Sequence, residues 1–179
     1  MSIITKRGDE GTTDLLFGKR IAKTSLRIDA LGAVDELNAA LGMARAAGLR
    51  IEWEAIVDRI QERLVAAMGL LATLCEDHDR YRAAGYSAIH DDDVIWLEET
   101  AQAMEARGVR YTDWARPGAE GAIGAAALDM ARSIARRAER SIWILHESGE
   151  FVDECVRLFF NRLSDLLWIL ARVEEKSEI

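Results

Sequence analysis

Helical periodicity fills nearly everything after residue 25 and leaves room for little else. The 179 residues contain one proline, Pro117, and no strand-like alternation of any length. Apolar residues recur instead at spacings of three and four, the pattern of one helix face. A first helix is expected over about Leu26–Ala47, with Ile28, Leu31, Val34, Leu37, Leu41 and Ala44 as its stripe and Gly48 as its cap. A second is expected over Trp53–Glu76, with Val57, Ile60, Leu64, Met68, Leu71 and Cys75. The third begins at Asp91-Asp92-Asp93, carboxylates that suit a helix N-terminus, and stops near Gly108. The fourth follows Pro117 and spans Gly121–Glu147, with Leu128, Ala131, Ala135, Ala138, Ile142 and Leu145. The fifth spans Val152–Glu175, with Val156, Leu163, Leu167, Leu170 and Val173. The expectation is therefore all-α: a five-helix antiparallel bundle over 26–175 and a flexible, polar N-terminal loop over 1–25, in a single domain covering 1–179. Residues 77–90 read as a solvated link. Residues 108–120 read as a loop whose Trp114, beside Arg116-Pro117-Gly118, is either a lid over the core or a stacking surface.

Half of the chain is apolar, which excludes disorder, and the net charge of -8 argues against nucleic-acid binding. The charge is uneven. Lys6, Arg7, Lys19, Arg20, Lys23 and Arg27 outnumber Asp9, Glu10 and Asp14 in the first 27 residues, so a small anion is drawn there. Cys75 and Cys155 lie in apolar helical patterns without CxxC spacing and read as buried, reduced thiols of a cytosolic protein. The N-terminus has no secretory apolar region and no run is long enough to span a membrane, which places the expected protein in the cytoplasm.

Thr5-Lys6-Arg7-Gly8-Asp9-Glu10-Gly11-Thr12-Thr13 holds no side chain that would serve a core. Its glycines let backbone N–H groups approach a ligand, its cations add charge and its threonines add hydroxyl donors, so phosphate is the natural guest. It is not a Walker A loop, because GxxxxGK[ST] is missing. Further along, Arg132, Arg136 and Arg140 share a helix face beside the apolar stripe, with Arg137 and Glu139 in the same turns. Such a row calls for an anion. Asn161 and Asp165 interrupt a strongly apolar run, and Asp35 and Asn38 flank the stripe of the first helix; polar groups so placed need partners. No metal site is expected. A di-iron bundle would need Glu-x-x-His pairs, and the residues three before His78, His90 and His146 are Cys75, Ser87 and Trp143.

Four stretches in order, Thr5–Thr13, Gly32-Ala-Val-Asp-Glu-Leu-Asn38, Ala131-Arg-Ser-Ile-Ala-Arg-Arg-Ala-Glu-Arg140 and Phe160-Asn-Arg-Leu-Ser-Asp165, make the chain resemble the PduO-type ATP:cob(I)alamin adenosyltransferases over about residues 3–174. The resemblance implies a trimer with active sites between subunits, ATP and reduced cobalamin as substrates, Mg²⁺ as cofactor, and adenosylcobalamin and triphosphate as products. It further implies a reductase and an adenosylcobalamin-dependent mutase as partners. By the same resemblance Thr5, Lys6, Gly8, Asp9, Gly11, Thr12 and Thr13 form the ATP loop and Lys23 reaches the phosphates. Arg136 contacts the triphosphate, while Arg137, Glu139, Arg140 and Asn161 complete the nucleotide site. Asp35 and Arg132 pair across the subunit interface next to the corrin.

The family usually reads Phe-x-Leu-Pro-Gly-Gly before the fourth helix, where this chain reads Trp114-Ala-Arg-Pro-Gly-Ala119. Trp114 takes the place of the aromatic that excludes the lower axial ligand of cobalt. Arg116 and Ala119 depart from the pattern. The rival expectation is a non-catalytic trimer that binds ATP or corrinoid and delivers the finished cofactor.

Overall fold

The computed structural model describes residues 4–109 and 114–176. Among them are six α-helices and one small hairpin: β1 (Thr12–Asp14), β2 (Arg20–Ala22), α1 (Leu26–Ala46), α2 (Ile51–Leu71), α3 (His78–Ala83), α4 (Asp91–Glu105), α5 (Ile123–Glu147) and α6 (Glu154–Glu175). The long helices are the five expected from periodicity; α3 and the hairpin were not expected. Each is too short for a repeat of 3.6 or 2 to show.

The expected stripes line one core, in which Val34, Leu37, Leu64, Leu97, Leu128, Ala135, Leu163 and Leu167 are fully buried. Each large aliphatic side chain so buried contributes about 1.5–3 kcal/mol. Packing contacts link α1 with α2 and α5, α5 with α6, and α6 with α4. Direction follows from cross-helix pairs. Asp29 meets Ser141 at 3.0 Å while Glu36 pairs with Arg137, so α1 and α5 are antiparallel. Glu52–Arg107 at 3.5 Å and Arg63–Asp93 at 3.7 Å make α2 and α4 antiparallel. Glu98–Arg162 at 2.7 Å and Gly108–Lys176 at 3.1 Å make α4 and α6 parallel. A ring with an odd number of rods cannot alternate throughout, and α4/α6 is where this one does not.

The hydroxyl of Ser25 caps α1, accepting from Ile28 N–H at 3.4 Å, and Gly48 follows its end with φ +87°. α2 stops at Leu71, short of the expected Glu76. The guanidinium of Arg27, only 2% exposed, donates to the carbonyls of Leu71 and Thr73 at 2.9 Å each, and Leu16 N–H takes the Ala72 carbonyl at 2.9 Å. The last carbonyls of α2 are thus satisfied from α1 and the hairpin rather than by another turn. Cys75 consequently leaves the stripe and is exposed, and Cys155 is half-buried, so neither is the fully buried thiol that periodicity suggested. Burial pushes the Cys155 thiol up, with Asp91 and Asp153 adding to the rise.

Residues 77–90 are not simply solvated. Tyr81 is 2% exposed, donates to the Ser87 carbonyl at 2.7 Å and stacks on Tyr86 at 5.0 Å. Tyr86 in turn meets Phe17 of the hairpin at 6.3 Å, and Arg80 lies 4.3 Å over the Phe17 ring. Of the loop expected at 108–120, residues 110–113 lie outside the described residues. Among the described residues no helix is long and apolar enough to cross a membrane.

Candidate functional site

The hairpin gives the Thr5–Thr13 segment a shape. β1 and β2 pair Thr12 with Ala22, Thr13 with Ile21 and Asp14 with Arg20. Arg20 ties the segment together, donating to Asp14 Oδ1 at 2.9 Å, the Arg7 carbonyl at 2.7 Å and Thr12 Oγ1 at 2.5 Å. Arg7 donates to the same Asp14 oxygen at 3.0 Å. Ahead of β1 the chain makes two successive turns, Asp9 N–H to the Lys6 carbonyl and Gly11 N–H to the Gly8 carbonyl, each at 3.3 Å. Gly11 closes the second at φ +79°, a conformation glycine adopts without strain. Lys23 N–H then bonds the Gly11 carbonyl at 2.9 Å, which brings Lys23 beside the loop.

From Lys23 a cleft of about 520 Å³ opens between α1 and α5. Its rim is Lys23, Thr24 and Ser25; its walls include Asp29, Gly32 and Glu36 of α1 and Arg137 and Ser141 of α5. A Cβ at Gly32 would meet nothing within 4 Å, so the α1 wall is open there. The cleft therefore joins an exposed lysine and an arginine, with two carboxylates beside them. Of the residues expected from sequence to hold ATP, Lys23 and Arg137 line it, and Gly8 of the glycine-bearing loop lies against the Lys23 side chain.

Others gather on the next face of α5. Glu139 accepts from Asn161 Nδ2 at 3.0 Å, Arg140 donates to the Arg136 carbonyl at 3.2 Å, and Arg162 pairs with Glu98 and Asn161. Partial desolvation raises the Asp165 carboxyl above its ordinary value; Arg162 and Arg136 pull it down and Glu139 adds to the rise. Arg136 and Arg137 are adjacent on one helix and so point about 100° apart. Within one chain they serve two different surfaces. A second cavity, about 400 Å³, lies beyond this face between α4 and α6, bounded by Glu105, Val109, Asp165, Trp168 and Ile169.

The remaining expected residues stand apart. Asp35 is exposed on α1, and Trp114 is 80% exposed. Arg132 has an in-chain partner, Asp129, at 3.3 Å. Periodicity missed Asp29, Glu36 and Ser141 of the cleft. Asp29, Gly32 and Glu36 share one face of α1, and that small residue between two carboxylates was the available signal. It missed Asp129 too, which is 2% exposed within the α5 stripe. Among the described residues no three His, Cys, Asp or Glu side chains group so as to hold a metal ion.

A family model described as cobalamin adenosyltransferase matches residues 3–174. The corrinoid adenosyltransferase PduO of Salmonella typhimurium is 35% identical over 178 residues, covering 98% of this chain and 50% of that protein. The chain thus spans about half the length of that relative. A cobalamin adenosyltransferase of Cupriavidus metallidurans is 36% identical, covering 96% of this chain and 86% of the other. Among solved structures, a phenylalanine-to-histidine variant of the Lactobacillus reuteri PduO-type ATP:corrinoid adenosyltransferase, complexed with cobalamin and ATP, superposes with a TM-score of 0.85. It is 30% identical, with 96% of this chain and 89% of that one covered. An arginine-to-lysine variant from the same organism, complexed with ATP, gives 0.82 at 31% identity. Matched along nearly all of its length in sequence and in fold, the chain belongs to the cobalamin adenosyltransferase family.

Proposed function

We propose that this protein transfers the 5′-deoxyadenosyl group of ATP to the cobalt of reduced cobalamin, giving adenosylcobalamin and triphosphate. The observation that carries the proposal is the cleft lined by Lys23 and Arg137, with the Gly8 turn against Lys23, in a chain of this family. Co(I) is the nucleophile. Its electron pair forms the Co–C5′ bond, the C5′–O bond breaks and triphosphate leaves with the released charge. No protein nucleophile is needed, so the side chains act by placement and by neutralising the leaving group.

In this reading the loop from Thr5 to Thr13 orders around the triphosphate, with Thr5, Lys6, Gly8, Asp9, Gly11, Thr12 and Thr13 supplying N–H, hydroxyl and cationic contacts. Lys23 and Arg137 neutralise phosphate oxygens from the cleft. Arg136, Glu139, Arg140 and Asn161 face a neighbouring subunit's nucleotide, because their surface lies around α5 from the cleft. The working unit is accordingly a homotrimer of single-domain chains, with Asp35 and Arg132 meeting across the interface and Trp114 below the corrin. Mg²⁺, held chiefly by the phosphates, supplies further charge neutralisation. A cytoplasmic setting, a cobalamin reductase and a mutase that takes the product complete the proposal.

The alternative, a trimer that binds or delivers cofactor without making it, rests on the altered Trp114–Ala119 loop alone. Mixing the protein with MgATP and cob(I)alamin without oxygen separates the two. The enzyme converts the cob(I)alamin spectrum to that of adenosylcobalamin, whereas a carrier leaves it unalkylated.

A further inference from the structure

Asp129 is a carboxylate on the apolar side of α5 and only 2% exposed. Its two oxygens go to two different cations. Oδ2 accepts from Arg172 Nη2 of α6 at 2.5 Å, and Oδ1 accepts from Arg132 Nε, one turn further along α5, at 3.3 Å. Arg172 is fixed independently: its Nε lies 2.7 Å from Glu175 Oε2, and its guanidinium is 5.6 Å from the Trp168 ring. Ser133 Oγ closes the same turn on the Asp129 carbonyl at 3.1 Å. Arg132 is the partly exposed member of the group, with a quarter of its side chain accessible. Arg172 serves two carboxylates, since its Nη2 also donates to Glu175 Oε1 at 2.8 Å, and the second cation of the group is Arg132. That second cation is one that reaches the surface, and Asp129 grips its Nε, the end of the guanidinium nearest the chain. Nη2 donates to Ser133 Oγ at 3.5 Å, and the guanidinium is thereby set in one orientation at the protein's edge.

We propose that Asp129, itself anchored by Arg172, is a positioning residue that holds the Arg132 guanidinium for the corrin side of the reaction. The proposal rests on the adenosyltransferase reading, which puts Arg132 next to the corrin. It makes the α5–α6 core continuous with the site: Glu175 and Trp168 orient Arg172, Arg172 orients Asp129, and Asp129 orients Arg132. An arginine released from this chain would sample several rotamers and present its charge in the wrong place for most of the time.

Optical titration of cob(II)alamin in the presence of MgATP tests this without requiring turnover. Asp129→Asn keeps the shape and removes the charge; it is expected to weaken cob(II)alamin binding by about tenfold and to leave the Kd for ATP within about twofold. Arg132→Ala is expected to do the same, and the double variant to be no worse than Arg132→Ala, since Asp129 acts only through it. Asp129→Glu, which retains the charge but lengthens the arm, serves if Asp129→Asn does not fold, and is expected to weaken corrin binding also. A folded Asp129 variant that melts lower but binds cob(II)alamin as wild type overturns the proposal and leaves Asp129 a core residue. So do losses that multiply in the double variant, or an Arg132→Ala variant with unchanged binding. Absence of adenosyl transfer by the wild type, with the coupled binding losses intact, would instead count against the adenosyltransferase reading.

Discussion

Lys23 lies against Gly8: a Cβ built at position 8 would stand 2.9 Å from Lys23 Nζ and 3.1 Å from its Cε. The contact is with the free end of a flexible side chain, so the fold can yield, but the ammonium must move away from the loop. Gly8→Ala is therefore expected to leave stability within about 0.5 kcal/mol of wild type, as exposed substitutions usually do. The KM for ATP should rise several-fold. Thermal melting and ATP saturation curves check both halves; an unchanged KM would detach the Gly8–Lys23 contact from nucleotide binding.

In the proposed reaction Arg136 bears on the leaving group from a different surface than Arg137. Removing a charge-assisted hydrogen bond costs about 1.5–3 kcal/mol, so Arg136→Ala should lower kcat/KM about 10- to 150-fold with the helix intact. Circular dichroism confirms the helix and steady-state kinetics give the ratio. A folded variant with wild-type kcat/KM would take Arg136 out of the site.

How much of this was legible in the sequence depended on length of pattern. α5 repeats its apolar spacing from Leu128 to Leu145, and all six stripe residues are buried. α3 offers a single turn, so the burial of Tyr81 had nothing to announce it. Arg27 was visible only as one more N-terminal cation; that it ends α2 depends on carbonyls more than 40 residues away in sequence. At the site, the glycine loop, Lys23 and the arginine row stood out because polar groups in such company need an anion. Asp29, Glu36 and Ser141 did not, since a carboxylate on a helix flank is the commonest solvated residue. That Arg136 and Arg137 look onto different surfaces is a matter of helix rotation, and nothing in the residue types reveals it.

Gly69 tests the corrected view of residues 77–90. A Cβ there would stand 2.3 Å from Tyr81 Oη, and the tyrosine is buried and held to Ser87. Gly69→Ala gains helix propensity of about 1 kcal/mol but overpacks this contact at a cost of about 1–3 kcal/mol, so a net loss of up to about 2 kcal/mol is expected. Urea denaturation measures it. A stabilised variant would mean that Tyr81 yields freely and that α3 is loosely seated.

Asp35 is exposed in the single chain, as a residue reserved for a neighbouring subunit would be. Asp35→Ala should weaken cobalamin binding by more than it weakens ATP binding, because it removes the proposed cross-interface partner of Arg132 and leaves that arginine to its in-chain carboxylate, Asp129. Sedimentation should show a trimer in the wild type. A fully active monomer would defeat the interfacial arrangement.

Trp114 is 80% exposed here, in the loop that precedes α5. An indole is apolar over most of its surface and large enough to fill the space below a corrin. If it excludes the lower axial ligand, Trp114→Ala should lose most adenosylation from Co(II) under a weak reductant. It should keep more when Co(I) is supplied preformed, since only reduction needs the empty face. Equal loss in both assays would assign Trp114 to corrin binding in general; no loss in either would make it a lid.

In the proposed reaction the cleft of Lys23 and Arg137 and the arginine face of α5 serve one displacement at C5′ of ATP. The most direct measurement is the stoichiometry of products when wild-type protein, MgATP and preformed cob(I)alamin react without oxygen. One inorganic triphosphate released for each adenosylcobalamin formed is the predicted result. Release of phosphate or diphosphate in its place, or binding of both substrates with no alkylated cobalamin, would contradict it.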